Sequence, residues 1–168
     1  MIIIKSVKYF TLKDIISEDF LNYKKPSMFL ITAFCDFKCC KELNLDISMC
    51  QNHNLVLNKH KPFLIEDIIK SYMSNDITKA VVIGGLEPFL QYDELYSFIS
   101  ELRKSTDDDV VIYTGYNKEE IEEKITELKE FKNIIIKFGR YNPFLPSTFD
   151  TVLGVTLFSS NQYAEKIS

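Results

Sequence analysis

Four cysteines are the whole thiol complement of this 168-residue chain, and all four fall in one short stretch: Cys35-Asp-Phe-Lys-Cys39-Cys40, then Cys50-Gln-Asn-His53. A disulfide framework spreads its cysteines along the chain, so this crowding points to metal chemistry. Thiolates are soft ligands that suit zinc or an iron–sulfur cluster. The residues leave two ligand sets open. Cys35, Cys39 or Cys40, Cys50 and His53 would make a tetrahedral zinc set. Three thiolates would instead hold a four-iron cluster and leave one iron open to a substrate or cofactor.

Four further segments carry polar or glycine chemistry. Gly84-Gly-Leu-Glu-Pro88 reads as a strand-to-helix turn, with glycine for positive φ and proline to start the helix. Bare backbone there also allows close approach of a ligand, and the Glu87 carboxylate suits an ammonium group. Thr114-Gly-Tyr116, Gly139-Arg-Tyr141 and Ser159-Ser-Asn-Gln162 are weak signals singly. Arg140 alone reads as a solvated charge, and His60 as a surface residue without a partner.

The elements that must position these segments alternate. An apolar run, Met28-Phe-Leu-Ile-Thr-Ala-Phe34, reads as a strand leading into the cysteines. Ile65, Ile68, Ile69, Tyr72 and Met73 follow helical spacing. Lys79–Ile83 is a buried strand, and Tyr92, Leu95, Tyr96, Ile99 and Leu102 mark a second helix. Val110–Tyr113 is a third strand. Asn117 with Glu120 forms a capping box ahead of a helix carrying Ile121, Ile125 and Leu128. Asn133–Phe138 is a fourth strand and Thr151–Leu157 a fifth. Before residue 28 the expectation is one strand and an irregular or helical stretch. Such alternation implies right-handed crossovers and an α/β fold with a mostly parallel sheet. Ligands bind such sheets at the carboxyl ends of the strands, where all five segments fall.

Composition sets the frame. An apolar fraction of 46% and a charged fraction of 26% describe an ordinary globular chain, read as a single domain over residues 1–168. A net charge of −4 argues against a nucleic-acid surface. No apolar stretch is long enough to span a bilayer, and Met1-Ile-Ile-Ile-Lys5 lacks the features of a signal peptide. The expectation is a cytoplasmic protein, with no nucleic-acid or membrane partner.

Taken together, the five segments resemble the radical S-adenosylmethionine (SAM) enzymes, and specifically the activating protein of anaerobic (class III) ribonucleotide reductase. That family has C-x-x-x-C-x-x-C followed by Asn, then Gly-Gly-acidic-Pro, T-G-Y, D-G-[KR]-[FY] and S-S-N-Q. Cys35-Asp-Phe-Lys-Cys39 and Cys50-Gln-Asn52 resemble the first motif, and Gly84-Gly85 with Glu87-Pro88 the second. Thr114-Gly-Tyr116, Gly139-Arg-Tyr141 and Ser159-Ser-Asn-Gln162 resemble the rest, in order, over about residues 27–162. The chain departs from the pattern at four places. Glu42 stands where the family has its third cysteine, so Cys50 would serve across an insertion. Cys40 is extra, Leu86 is inserted in the glycine motif, and Phe138 replaces Asp at what is expected to be the rim a partner meets.

The resemblance implies a partial, open radical SAM (β/α) barrel. It implies a [4Fe-4S] cluster on Cys35, Cys39 and Cys50, with Cys40 as the alternative ligand. S-adenosyl-L-methionine would be bound by Gly84, Gly85, Glu87, Thr114, Ser160 and Asn161, with Glu87 on its amino group. No residue beyond cluster and SAM is needed for catalysis. The implied activity is reductive cleavage of SAM to a 5′-deoxyadenosyl radical that makes a glycyl radical on a partner anaerobic ribonucleotide reductase. A flavodoxin or ferredoxin would supply the electron. Four cysteines leave no room for a second such cluster. The rivals are a radical SAM enzyme for another peptide or small molecule, and a non-catalytic zinc module using Cys35, Cys39, Cys50 and His53.

Overall fold

Runs of Val and Ile set the centre of the molecule. The computed structural model describes residues 3–168. Among the described residues nine strands form in chain order: β1 (Tyr9–Asp19), β2 (Ser27–Thr32), β3 (Lys61–Leu64), β4 (Ala80–Gly84), β5 (Asp109–Tyr113), β6 (Ile134–Phe138), β7 (Thr148–Asp150), β8 (Val155–Leu157) and β9 (Tyr163–Lys166). Seven make one sheet in the order β3-β1-β2-β4-β5-β6-β9. β2, β4, β5 and β6 run parallel at its centre. β1, β3 and β9 pair antiparallel around them. The fold is therefore mixed α/β around a parallel-leaning sheet.

Helices α1 (Lys38–Glu42) and α2 (His53–Leu57) are single short turns in the cysteine segment. α3 (Ile65–Met73), α4 (Tyr92–Leu102) and α5 (Glu122–Leu128) connect the parallel strands. Their apolar residues, at helical spacing, meet one face of the sheet. Ile68, Leu95, Phe98, Leu102, Ile125 and Leu128 pack against Val81, Ile83, Val110, Ile112, Ile134 and Ile136. Burying each large side chain contributes about 1.5–3 kcal/mol. The alternate residues Val82, Val111 and Ile135 point to the other face, where Tyr23, Leu153 and Leu157 cover them. Strands buried on both faces read as unbroken apolar runs, which is why β4, β5 and β6 stand out in the sequence.

α3 and α4 keep the expected extents, and the Asn117–Glu120 box forms ahead of α5. The chain before residue 28 supplies the long edge-side strand β1 and a run of bends. The expected fifth strand, Thr151–Leu157, requires correction. Asp150 turns the chain, accepting the Leu153 N–H on its side chain at 2.9 Å and the Gly154 N–H on its carbonyl at 2.8 Å. Only Val155–Leu157 is extended, and it pairs with β7 in a separate hairpin. The last strand of the main sheet is instead β9, whose Tyr-Ala-Glu-Lys sequence is too short and polar to announce itself. Among the described residues, no helix is long and apolar enough to cross a membrane.

Candidate metal centre

The cysteine segment leaves β2 at the carboxyl edge of the parallel strands. Phe37 takes a left-handed conformation, φ 57°, which starts α1 and turns Cys39 and Cys40 back toward Cys35. Asp46 caps a short 3-10 turn over Ile47–Met49 by accepting the Ser48 N–H at 2.8 Å. Cys50 follows directly. All four thiols are free. Cys40 is buried, whereas Cys35, Cys39 and Cys50 are partly exposed.

The thiols act on one another. The Cys50 S–H donates to Cys39, which pulls the Cys39 thiol below its ordinary range and pushes Cys50 up. Burial pushes Cys35 up to about 11. Burial also raises Cys40, which bonds to Cys39. The Phe37 N–H donates to Cys35 Sγ at 3.3 Å. A cavity of about 260 Å³ opens beside Cys35, lined by Phe34, Phe37, His60 and Leu86 among others. A larger one of about 480 Å³ lies away from the thiols, around Phe89, Gln91, Glu94 and Lys124. The smaller carries more functional weight because a thiol lines it. His60 is exposed, as expected, but it does have a partner: its ring meets Phe34 edge-on at 5.1 Å.

Four ties fix the cysteine segment to the other motifs. The Phe34 carbonyl accepts the Glu87 N–H at 2.7 Å. Tyr116 donates its hydroxyl to Asp36 at 2.6 Å. Arg140 pairs with Glu42 through Nε at 3.2 Å and with Glu120 through Nη2 at 2.6 Å. Asn52 donates its side-chain amide to the Gly85 carbonyl at 2.6 Å. Arg140 is thus buried and paired, not the solvated charge its sequence context indicates.

Glu87 is the centre of the polar network. It is 5% exposed. Its Oε1 accepts from Thr114 Oγ1 at 2.7 Å and from the Phe89 N–H at 3.1 Å. Its Oε2 accepts from the Gly115 N–H at 2.9 Å. Burial raises its pKa while these donors work against the rise. A carboxylate offers about four acceptor sites, so one remains for an added donor. Gly85, at φ +88°, lies against Ile31, and its neighbour Gly84 against Tyr113.

The Ser159–Gln162 segment reaches the same edge because β9 runs antiparallel to β6. Asn161 donates its side-chain amide to the Arg140 carbonyl at 2.7 Å, and Ser159 Oγ accepts the Asn142 N–H at 3.1 Å. Gly139, at φ +95°, lies where a Cβ would stand 2.8 Å from the Asn161 carbonyl oxygen. Ser160 is exposed and Thr114 buried. The segment therefore holds the 139–142 loop. Phe138 is not at the rim: it is fully buried on the helix side of the sheet, its ring tilted against Tyr163 with centroids 5.6 Å apart.

Lys137 is a site residue that motif reading misses. It is buried on the sheet face opposite Phe138 and feels the charges of Glu87 and Cys39. Its signal is plain in retrospect: one charged residue inside the apolar run Ile134–Phe138.

The donor set fits an iron–sulfur cluster: three unbridged, partly exposed, mutually coupled thiols on a tethered segment. A single zinc ion draws its ligand atoms to within about 2.0–2.3 Å of one point. Among the described residues, no group of three or more His, Cys, Asp or Glu side chains is arranged to hold a metal ion. His53 Nδ1 is buried without a hydrogen-bond partner. Comparison with curated proteins and with solved structures finds no match. A comparison with protein families does: the model described as a 4Fe-4S single cluster domain matches residues 27–162, from the start of β2 through the Ser159–Gln162 segment. The match spans the cysteines and all four tethering motifs, and the chain belongs to the 4Fe-4S single cluster domain family.

Proposed function

We propose that this iron–sulfur protein is a radical SAM enzyme whose sheet forms a partial, open barrel. Its substrate is a glycine on a partner anaerobic ribonucleotide reductase, and a flavodoxin or ferredoxin supplies the electron. One observation carries the reading. The cysteine segment is tied by hydrogen bonds and an ion pair to the glycine, Thr-Gly-Tyr and Gly-Arg-Tyr motifs, and the last of these is braced by Ser159–Gln162. Motifs that are weak singly meet at one sheet edge, in a chain whose family holds a 4Fe-4S cluster.

In this reading Cys35, Cys39 and Cys50 hold the cluster. The chemistry such a cluster would supply, when bound and reduced, is one electron for cleaving the C5′–S bond of SAM to methionine and a 5′-deoxyadenosyl radical, which would take a hydrogen atom from the glycine to leave 5′-deoxyadenosine and a glycyl radical. The chain's own part is positional. Glu87 would hold the SAM ammonium with its remaining acceptor site, and Thr114 and Gly115 fix the carboxylate. Gly84 and Gly85 line the approach of the methionine part, with Ser160 and Asn161 at the far rim. Asn52 holds the third thiol against the glycine turn.

The test is anaerobic reconstitution with iron and sulfide, reduction, and chromatography for 5′-deoxyadenosine. Mixing with a co-encoded anaerobic reductase should then give the glycyl radical doublet by electron paramagnetic resonance. Cleavage with no such radical on any co-encoded glycyl enzyme would move the substrate to another peptide or a small molecule. A cluster without SAM cleavage would sink the radical reading and leave an electron-transfer protein.

A further inference from the structure

Lys137 has no part in the chemistry above, yet its placement is costly. Its cross-strand neighbours are Tyr113 on β5 and Ala164 on β9. The ammonium lies 5.9 Å from the centre of the Tyr113 ring and donates to the Gly139 carbonyl at 3.0 Å. An ammonium has three donors, and one bond is made. Among the described residues, no carboxylate stands at ion-pair distance from it. Glu87 is near enough to act on it, but its oxygens are turned to Thr114, Gly115 and Phe89. Burial pulls the Lys137 pKa down to about 8, against the opposing pull of Glu87 and Cys39. A buried cation with so little compensation is unfavourable unless negative charge arrives beside it.

The other group that acts on it is Cys39, and backbone geometry places it by the thiols: the Thr114 N–H donates to the Lys137 carbonyl at 2.9 Å, Thr114 Oγ1 bonds Glu87, and the Glu87 N–H bonds the carbonyl of Phe34, next to Cys35. A thiol that ligates iron gives up its proton and becomes the needed anion. We propose that Lys137 is the buried counter-charge of the iron–sulfur cluster, held by the Gly139 carbonyl beside the Glu87 network. The inference rests on Cys39 being a cluster ligand. Cluster potentials respond to net charge and local hydrogen bonding. Reduction adds one negative charge, and a nearby fixed cation favours that step. Lys137 tunes the centre and is not a catalytic residue.

The test compares wild-type protein with Lys137→Met and Lys137→Gln, each reconstituted anaerobically. Midpoint potentials are measured by a redox titration followed by electron paramagnetic resonance. Both variants should accept the electron at least tenfold less readily, a shift of about 59 mV to more negative potential for a one-electron couple. Metal-free Lys137→Met should melt at or above the wild-type temperature, because a buried charge has gone. Lys137→Gln keeps a donor for the Gly139 carbonyl and removes only the charge. An unchanged potential in both variants overturns the inference. A sharp loss of metal-free stability in both would also overturn it, making Lys137 a structural tie. Failure of the wild type to take up a cluster through Cys39 would sink the ligand assignment instead.

Discussion

Gly85 offers the cleanest test of how the site is built, because its constraint belongs to the chain alone. At φ +88° it holds a left-handed backbone, and an added Cβ would stand 2.7 Å from Ile31 Cγ2 and 3.5 Å from Ile31 Cα. The backbone conformation costs a residue with a Cβ about 1–2 kcal/mol. Ile31 is buried in β2, opposite Gly84 in the ladder, so the clash adds about 1–3 kcal/mol of overpacking. Gly85→Ala should therefore destabilise the metal-free protein by about 2–5 kcal/mol. At this chain length each kcal/mol moves the melting temperature by roughly 2–4 °C, so the drop should be about 4–20 °C. Gly115→Ala is the control. Its Cβ would meet nothing nearer than Glu87 Oε2 at 3.6 Å, an ordinary contact. It should melt within about 3 °C of wild type. Thermal unfolding followed by circular dichroism, under reductant, measures both. Because the Gly85 carbonyl accepts from Asn52, hydrogen exchange over residues 44–58 should also quicken in Gly85→Ala. If the two variants melt together near wild type, the glycine turn is not wedged against β2, and the account of the site's frame fails.

The ligand assignment is tested by alanine variants. Wild-type protein should hold about four irons after anaerobic reconstitution, and Cys35→Ala, Cys39→Ala and Cys50→Ala should each lose the cluster. Cys40→Ala should keep it, since that thiol is buried; the reverse outcome for Cys39 and Cys40 would exchange their roles. Glu87→Gln should keep the cluster but weaken SAM binding roughly 10–150-fold, from a charge-assisted bond of about 1.5–3 kcal/mol. Equal affinities by calorimetry would remove Glu87 from the pocket. The thiols also set a pH dependence. Cys35 is held at about 11 against an ordinary 9.0, and Cys50 is raised too. Stability from these neutral thiols is present below pH 9 and lost as pH rises through the folded-state values. Metal uptake must release their protons, so iron(II) affinity of the metal-free protein should tighten from pH 7 to 9. A flat affinity profile would contradict it.

The sheet was legible where both of its faces are buried. Lys79–Ile83, Val110–Tyr113 and Asn133–Phe138 each foreshadow a central parallel strand, and the helical stripes at Ile65–Met73 and Tyr92–Leu102 match α3 and α4. The margins were not legible. β3 and β9 are four-residue edge strands whose pairing is set by neighbours and not by their own pattern. Thr151–Leu157 looked apolar enough for a strand, but the Asp150 turn interrupts it. At the site, the motifs were readable as residue types but not as contacts. No pattern in the chain says that Arg140 is buried against Glu42 and Glu120, or that Phe138 faces the helices.

With Cys50 as the third ligand, as proposed above, its displacement along the chain has a structural account. In the activating-protein pattern that the sequence resembles, an Asn follows the third cysteine, and here Cys50-Gln-Asn52 keeps the two close. Asn52 reaches the Gly85 carbonyl. An anchor that travels with the thiol lets a ligand move along the chain, because the tether and not the count of residues fixes where the sulfur lies. The bond from Cys50 to Cys39 agrees with this, for it brings Cys50 back to the first pair despite the insertion. The vacated position is also accounted for. Glu42 turns to Arg140, which Glu120 holds at 2.6 Å and whose carbonyl Asn161 braces. Exposed on one side, that Glu42 pair contributes at most about 1 kcal/mol. Its effect is directional: it ties the last residue of α1 to the loop that follows β6. In that reading, insertion, shifted thiol and substituted carboxylate form one coupled change, in which the longer segment is tied at Asn52 to the glycine turn and at Glu42 to the loop after β6.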